Sequence, residues 1–233
     1  MKKHLLVMLI VFCLASVPVS ASQLPDELIS DAILVLQEIG EQPDAEQLYS
    51  VLKKAHGVAI FPAVKKVGLG IGGRYGEGLV LQYNQQTKTW NGPYFVTMKG
   101  LSYGFQIGVQ STALVLVITS ERGIESLQEG KITLGGNLSI AAGPVGRSAE
   151  AGTDLNMKAA MYSYSLSKGA FVGASLEGAA LDNNVNANQV FWKERLTPSE
   201  ILNRKASSTA IQGLLKELNS IMDYPEEGKN EHS

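Results

Sequence analysis

Where the glycines fall constrains this chain more than any other feature. It has 24 glycines in 233 residues, and 21 of them lie between Gly57 and Gly178. Many sit inside stretches that otherwise alternate with period two. Tyr103, Phe105, Ile107 and Val109 share one face of an extended segment, while Gly104, Gln106, Gly108 and Gln110 share the other. Tyr162, Tyr164 and Leu166 alternate in the same way with Ser163, Ser165 and Ser167. Glycine weakens a strand, so its repeated use there marks bulges, sharp bends or the close approach of another backbone. Many bent strands in one sheet predict a curled sandwich or barrel. Leu79 to Leu81 and Ala113 to Ile118 are continuous apolar runs, which predict strands covered on both faces. A weak echo, Gly73-x-x-x-Glu77-Gly78 against Gly173-x-x-x-Glu177-Gly178, suggests two similar hairpins.

The flanks change period. Leu28, Ala32, Val35, Leu36 and Ile39 recur at helical spacing, and Leu48, Val51, Leu52 and Ala55 form a second apolar stripe before Gly57. A short helix interrupts the strands, capped by Ser120 and closed by Gly130. Thr197-Pro198-Ser199-Glu200 is a capping box that opens a last helix, with Ile201, Leu214, Leu215, Leu218 and Ile221 on its apolar side.

Residues 1–21 read as a secretory signal: Lys2, Lys3 and His4, an apolar run from Leu5 to Leu14, and a small-residue site that predicts cleavage after Ala21. The single cysteine, Cys13, lies in that segment behind the bulky Phe12, which argues against lipid attachment. The expected mature chain therefore has no disulfide, thiolate nucleophile or cysteine-bound zinc. Of three histidines only His56 lies in the body of the chain, so a histidine metal cluster is excluded. Losing Lys2 and Lys3 takes the formal charge from −2 to −4, which leaves no global basic field for nucleic acid.

Charge is segregated locally. Residues 22–50 carry seven acids and no Lys or Arg, whereas residues 51–76 carry Lys53, Lys54, Lys65, Lys66 and Arg74 and no acid. The second stretch could bind anionic headgroups, or its bases could pair with the acidic helix before it. Gly68-Leu69-Gly70-Ile71-Gly72-Gly73 satisfies a dinucleotide fingerprint literally, but strand character follows where a phosphate-binding helix is required. Gly143 to Ser148 is a loop in which Arg147 either binds an anion or pairs with Glu150 or Asp154. Glu150 with Asp154, and Glu77 with Glu177, are the carboxylate pairs that acid–base chemistry would need; a turn-pinning role competes for Glu77 and Glu177. A His56 triad lacks its nucleophile elbow.

Several spaced segments occur in a telling order. They are Gly57-Val58-Ala59-Ile60-Phe61-Pro62, then Gly70-x-Gly72-Gly73-x-Tyr75-Gly76-Glu77-Gly78, then Pro93-x-Phe95-Val96. Gly104-x-Gln106-Ile107-Gly108-x-Gln110-Ser111-Thr112, the run Ala141 to Asp154, Tyr162-Ser163-Tyr164-Ser165 and Gly173-x-Ser175-Leu176-Glu177-Gly178 complete the set. Together they resemble the SYLF lipid-binding domain family across residues 45–182. The resemblance implies a non-enzymatic lipid-binding module. Eukaryotic members bind phosphoinositides, some bind actin filaments, and an amphipathic N-terminal helix with basic residues meets the membrane. Lys53, Lys54, Lys65 and Lys66 fall where that patch would lie, but the helix before them is acidic and an anionic surface would repel it. The signal places the chain away from phosphoinositides and actin, so lipid binding in general is what carries over.

The expectation is one α+β domain over residues 22–225: a curled antiparallel sheet, sandwich- or barrel-like, with its Gly-rich β core at 57–182 and helices at 24–56 and 197–222. A flexible tail at 226–233 completes the chain. The protein is expected to be periplasmic or secreted, and to bind phospholipid or a related acyl amphiphile without cofactor, metal or bond-breaking. Lys65, Lys66, Arg74 and Arg147 are the expected headgroup ligands. The competing reading is a structural or envelope-stress protein that binds a protein partner through an exposed apolar patch.

Overall fold

The structure, a computed structural model, describes residues 23–42, 45–143, 159–166 and 176–224. The leader, Arg147, Glu150, Asp154, Gly173 and the tail at 226–233 lie outside the described residues. Helix α1, Pro25–Gly40, starts with proline in its first turn and places Asp26 and Glu27 at its positive end. Helix α2, Ala45–Leu52, buries Leu48, Val51 and Leu52.

Two long strands dominate the sheet. Strand β1, Gly57–Asn84, has 28 residues, and β2, Thr89–Ile118, has 30. They pair antiparallel from Gly57↔Ile118 to Asn84↔Thr89, with register shifts between Phe61 and Val64, Leu69 and Gly70, and Val80 and Gln82. A straight strand of that length would reach about 90 Å. Instead β1 returns on itself. The His56 carbonyl accepts a 2.8 Å hydrogen bond from the Tyr83 N–H. Gly57 lies against the Leu81 carbonyl, Gly76 against Ala63 and Val64, and Gly78 against Ile60 and Phe61. A Cβ on residue 78 would stand 2.4 Å from a Phe61 ring carbon and 2.6 Å from the Ile60 carbonyl oxygen, so only glycine fits. The hairpin is thus folded at its middle. The turn-back is an elbow of β1 residues 65–75 paired with β2 residues 99–111.

Helix α3, Glu121–Gln128, is capped by the Ser120 hydroxyl, which accepts from the Gly123 N–H, and Gly130 closes it at φ +84°. Four short strands complete the sheet: β3 Lys131–Thr133, β4 Ile140–Ala142, β5 Met161–Ser165 and β6 Ala180–Asn183. Strand β2 is the axis, holding β1 along one edge while β6 and β5 share the other. The β4–β5 pair is parallel, so the sheet is mixed, with an otherwise antiparallel order.

The two faces of the sheet build two cores. The outer face sets Val58, Ile60, Leu79, Leu81, Phe95, Val115 and Val117 against the N-terminal helices and α6 (Thr209–Met222). Inside the curl, Ala59, Phe61, Val64, Val80, Val96, Met98, Leu114 and Leu116 pack together. There α3 contributes Ile124 and Leu127, and α5 (Pro198–Leu202) contributes Ile201 and Leu202. The apolar runs at 79–81 and 114–118 are therefore buried on both faces. The architecture is α+β, a strongly curled sheet packed by N- and C-terminal helices.

The sequence signals miss one helix. Between the β core and the capping box lies α4, Val185–Trp192, capped by Asn184. It docks through the buried Asn188, whose side chain accepts from the Phe95 N–H and donates to the Phe95 carbonyl, both at 2.8 Å. The Thr197–Glu200 capping box forms, but the segment it opens ends at Leu202 and helix resumes only at Thr209.

Candidate anion-binding site

The elbow contains a charged group in an unusual state. Arg74 pairs across the ladder with Gly100, and its side chain is only 8% exposed. Gly100 admits the close approach of Ala179: a Cβ there would lie 3.0 Å from the Ala179 Cα, while its 3.5 Å distance to the Arg74 Cγ would be ordinary contact. The guanidinium Nε and Nη1 are fully buried and have no hydrogen-bond partner. Such groups are nearly always satisfied in folded proteins, because a buried donor left unpaired costs its hydration. Burial pulls the Arg74 pKa below its ordinary value, with no carboxylate acting to raise it. An arginine nevertheless stays cationic at neutral pH.

Arg74 lines a crevice with Val64, Lys66, Gln110 and Thr112. The walls leave no room for a free water molecule, so the buried N–H groups are dry. Lys66 is half-buried and lines the same crevice. The crevice thus brings a planar fork of donors and a lysine into one lining. That combination matches a phosphate-type anion.

The sequence candidates divide accordingly. Lys66 and Arg74 come together. Lys65, one residue along, is exposed and by strand alternation takes the opposite face. Lys53 is drawn elsewhere, donating from its Nζ to the Tyr224 carbonyl. Among the described residues the ion pairs are Lys99 with Asp182 and Arg204 with Glu194. Neither joins the acidic segment 22–50 to the basic one after it. Thr112 and Gln110 carry no signal in the sequence that marks them for this site. Only the cross-strand register, Val64↔Thr112 and Lys66↔Gln110, brings them to the crevice.

Other chemistry finds structural uses. The glycine fingerprint at 68–73 runs inside β1, with no helix behind it. One Glu77 oxygen accepts from the Gln23 N–H at 2.8 Å and the other from the Tyr75 hydroxyl at 2.9 Å. That hydrogen bond, after burial, helps raise the Tyr75 pKa to about 12. The Glu177 side chain lies over Gly135, whose φ of +74° suits glycine. His56 borders an open, amide-rich cleft with Gln82, Asn84, Gln85 and Glu121. Among the described residues no three metal-ligating side chains converge, and no helix is long and apolar enough to cross a membrane.

Residues 99–221 match the family model described as Ysc84, Las17-binding protein actin regulator. An SH3 domain-containing protein of Schizosaccharomyces pombe is 40% identical over 175 residues, which are 73% of this chain and 40% of that protein. Protein YSC84 of Saccharomyces cerevisiae is 39% identical over 174 residues, 73% of this chain and 37% of that protein. The SH3 domain-containing YSC84-like protein 1 of Mus musculus is 34% identical over 182 residues, 77% of this chain and 53% of that protein. The chain thus spans about 40–50% of the length of these relatives.

Proposed function

Because this chain belongs to the Ysc84 family, the family to which its SYLF motifs point, we propose that it is a non-enzymatic module that holds the anionic headgroup of a phospholipid or related acyl amphiphile at a membrane surface of the cell envelope. The observation that carries this reading is Arg74, a buried guanidinium with no ion pair among the described residues, in a crevice that Lys66 also lines. An incoming phosphate oxygen would satisfy the donors that the fold leaves unmade. Vesicle flotation at low salt tests the reading. The protein should float with phosphatidylglycerol-containing vesicles and much less with pure phosphatidylcholine, and Lys66→Glu should abolish the difference. No flotation with either vesicle would overturn it.

A second reading is a protein partner, favoured by the relatives named LAS seventeen-binding protein 3 in Saccharomyces cerevisiae. Crosslinking in the producing cell that captures one protein, with no lipid co-purifying, would support that reading over the first.

A further inference from the structure

The crevice occupies one face of the elbow; on the other, three large apolar side chains among the described residues are exposed. Val67, Tyr75 and Leu101 are 53%, 41% and 63% exposed. Leu101 is the ladder partner of Gly73, and Tyr75 is the partner of Lys99. Further along the same face of β1, Leu79 and Leu81 are fully buried in the core that the helices cover. That cover stops at the elbow, and the Gln23–Glu77 hydrogen bond marks its border. Exposed apolar side chains grouped in this way mark a contact surface.

The charge of the elbow says what that contact is. Residues 65–75 and 99–111 hold Lys65, Lys66, Arg74 and Lys99 and not one acid, in a chain of formal charge −2. Lys65 is exposed, and by alternation it lies on the face of Val67. Lys99 is exposed too, with only a loose 3.7 Å contact to Asp182. Along the ladder Val67 comes first, Leu101 opposite Gly73 next and Tyr75 last, with Lys65 and Lys99 at the two ends and Glu77 holding the Tyr75 hydroxyl at the border. Apolar tips flanked by cations match the layering of an anionic bilayer: acyl chains, then the interface, then phosphates. Within segments 65–75 and 99–111 every charge is positive, which favours an anionic surface over a protein partner of mixed charge.

We propose that the elbow is a membrane wedge. Val67, Leu101 and the Tyr75 ring enter the interfacial layer of an anionic bilayer, while Lys65 and Lys99 stay at phosphate level. This rests on the lipid reading and deepens it, for the same insertion carries Arg74 and Lys66 to headgroup depth from the other side of the strands. The acidic α1, with its own exposed Leu34, stays off the membrane.

Two labelled full-length variants test the wedge, each carrying Cys13→Ser to remove the native thiol. Leu101→Cys places an environment-sensitive nitrobenzoxadiazole dye on the elbow, and Leu34→Cys places it on α1 as the control. The probe is phosphatidylglycerol:phosphatidylcholine vesicles, and co-sedimentation is measured on the same samples. The expected result is co-sedimentation of both, with a blue shift and intensity gain at position 101 alone. Co-sedimentation with position 101 unchanged would overturn the wedge and leave the lipid reading standing. No co-sedimentation would remove both. A Val67→Asp/Leu101→Asp variant that melts like the parent should lose roughly tenfold or more in vesicle partitioning, because burying even one such side chain is worth a factor of that order.

Discussion

The closed half of the long hairpin and its elbow are made from the same two strands, yet they end in opposite states. In the closed half, Phe61, Val80 and Leu116 are fully buried inside the curl, and Ile60, Leu79 and Val117 are fully buried beneath helices. At the elbow a cation is dry, and Val67 and Leu101 are wet. Both halves carry glycine, and the closed half adds the continuous apolar runs 79–81 and 113–118 where the elbow alternates. What also separates them is what lies on top: helices cover one half and stop short of the other. The same ribbon is core at one end and leaves apolar side chains exposed at the other.

That contrast can be broken by substitution, beginning with the largest effect. Leu116→Ala should cost about 3–4 kcal/mol in urea unfolding, because it opens a cavity inside the curl. Gly78→Ala should cost about 2–3 kcal/mol in the same measurement, since its methyl collides with Phe61 and with the Ile60 carbonyl. Thr197→Ala removes the cap of α5, one of the helices that close the inner core, and should cost about 1 kcal/mol. Leu101→Ala on the elbow should change stability by less than about 0.5 kcal/mol, read from the same unfolding curves, although it removes as large a side chain as Leu116→Ala does. A loss at position 101 comparable to that at 116 would show that the elbow is core.

Much of the closed half is legible in the sequence. The apolar runs at 79–81 and 113–118 announce strands covered on both faces. The capping box at Thr197 and the Ser120 cap are local signals that tertiary packing leaves intact. The glycines announce bends and close approach, and Gly57, Gly76 and Gly78 are where β1 meets itself. Helix α4 is hidden because its apolar contact with the outer core is one pair, Ala187 and Phe191, while its buried Asn188 bonds a strand's backbone and Val190 is exposed. The site is legible only in part. Lys66 and Arg74 stand out as bases, but Lys65 groups with them along the chain although it takes the other face. The shift between Phe61 and Val64 inverts the phase of alternation, so Ile60 lies in the outer core while Val64 lies in the inner one. No count along the chain reveals that inversion. The burial of Arg74 is invisible for a related reason, since Gln110 and Thr112 of its crevice come in from the paired strand.

We propose that Arg74 has no ion pair among the described residues because its counter-ion is the ligand. Urea unfolding of Arg74→Met against the parent, with and without a soluble short-chain phosphatidylglycerol, tests it most directly. Removing an unpaired buried charge should raise stability by about 1 kcal/mol without lipid, and the lipid should then stabilise the parent alone. An Arg74→Met protein several kcal/mol weaker than the parent, yet stabilised equally by the lipid, would show that Arg74 serves the fold and that the anion binds elsewhere.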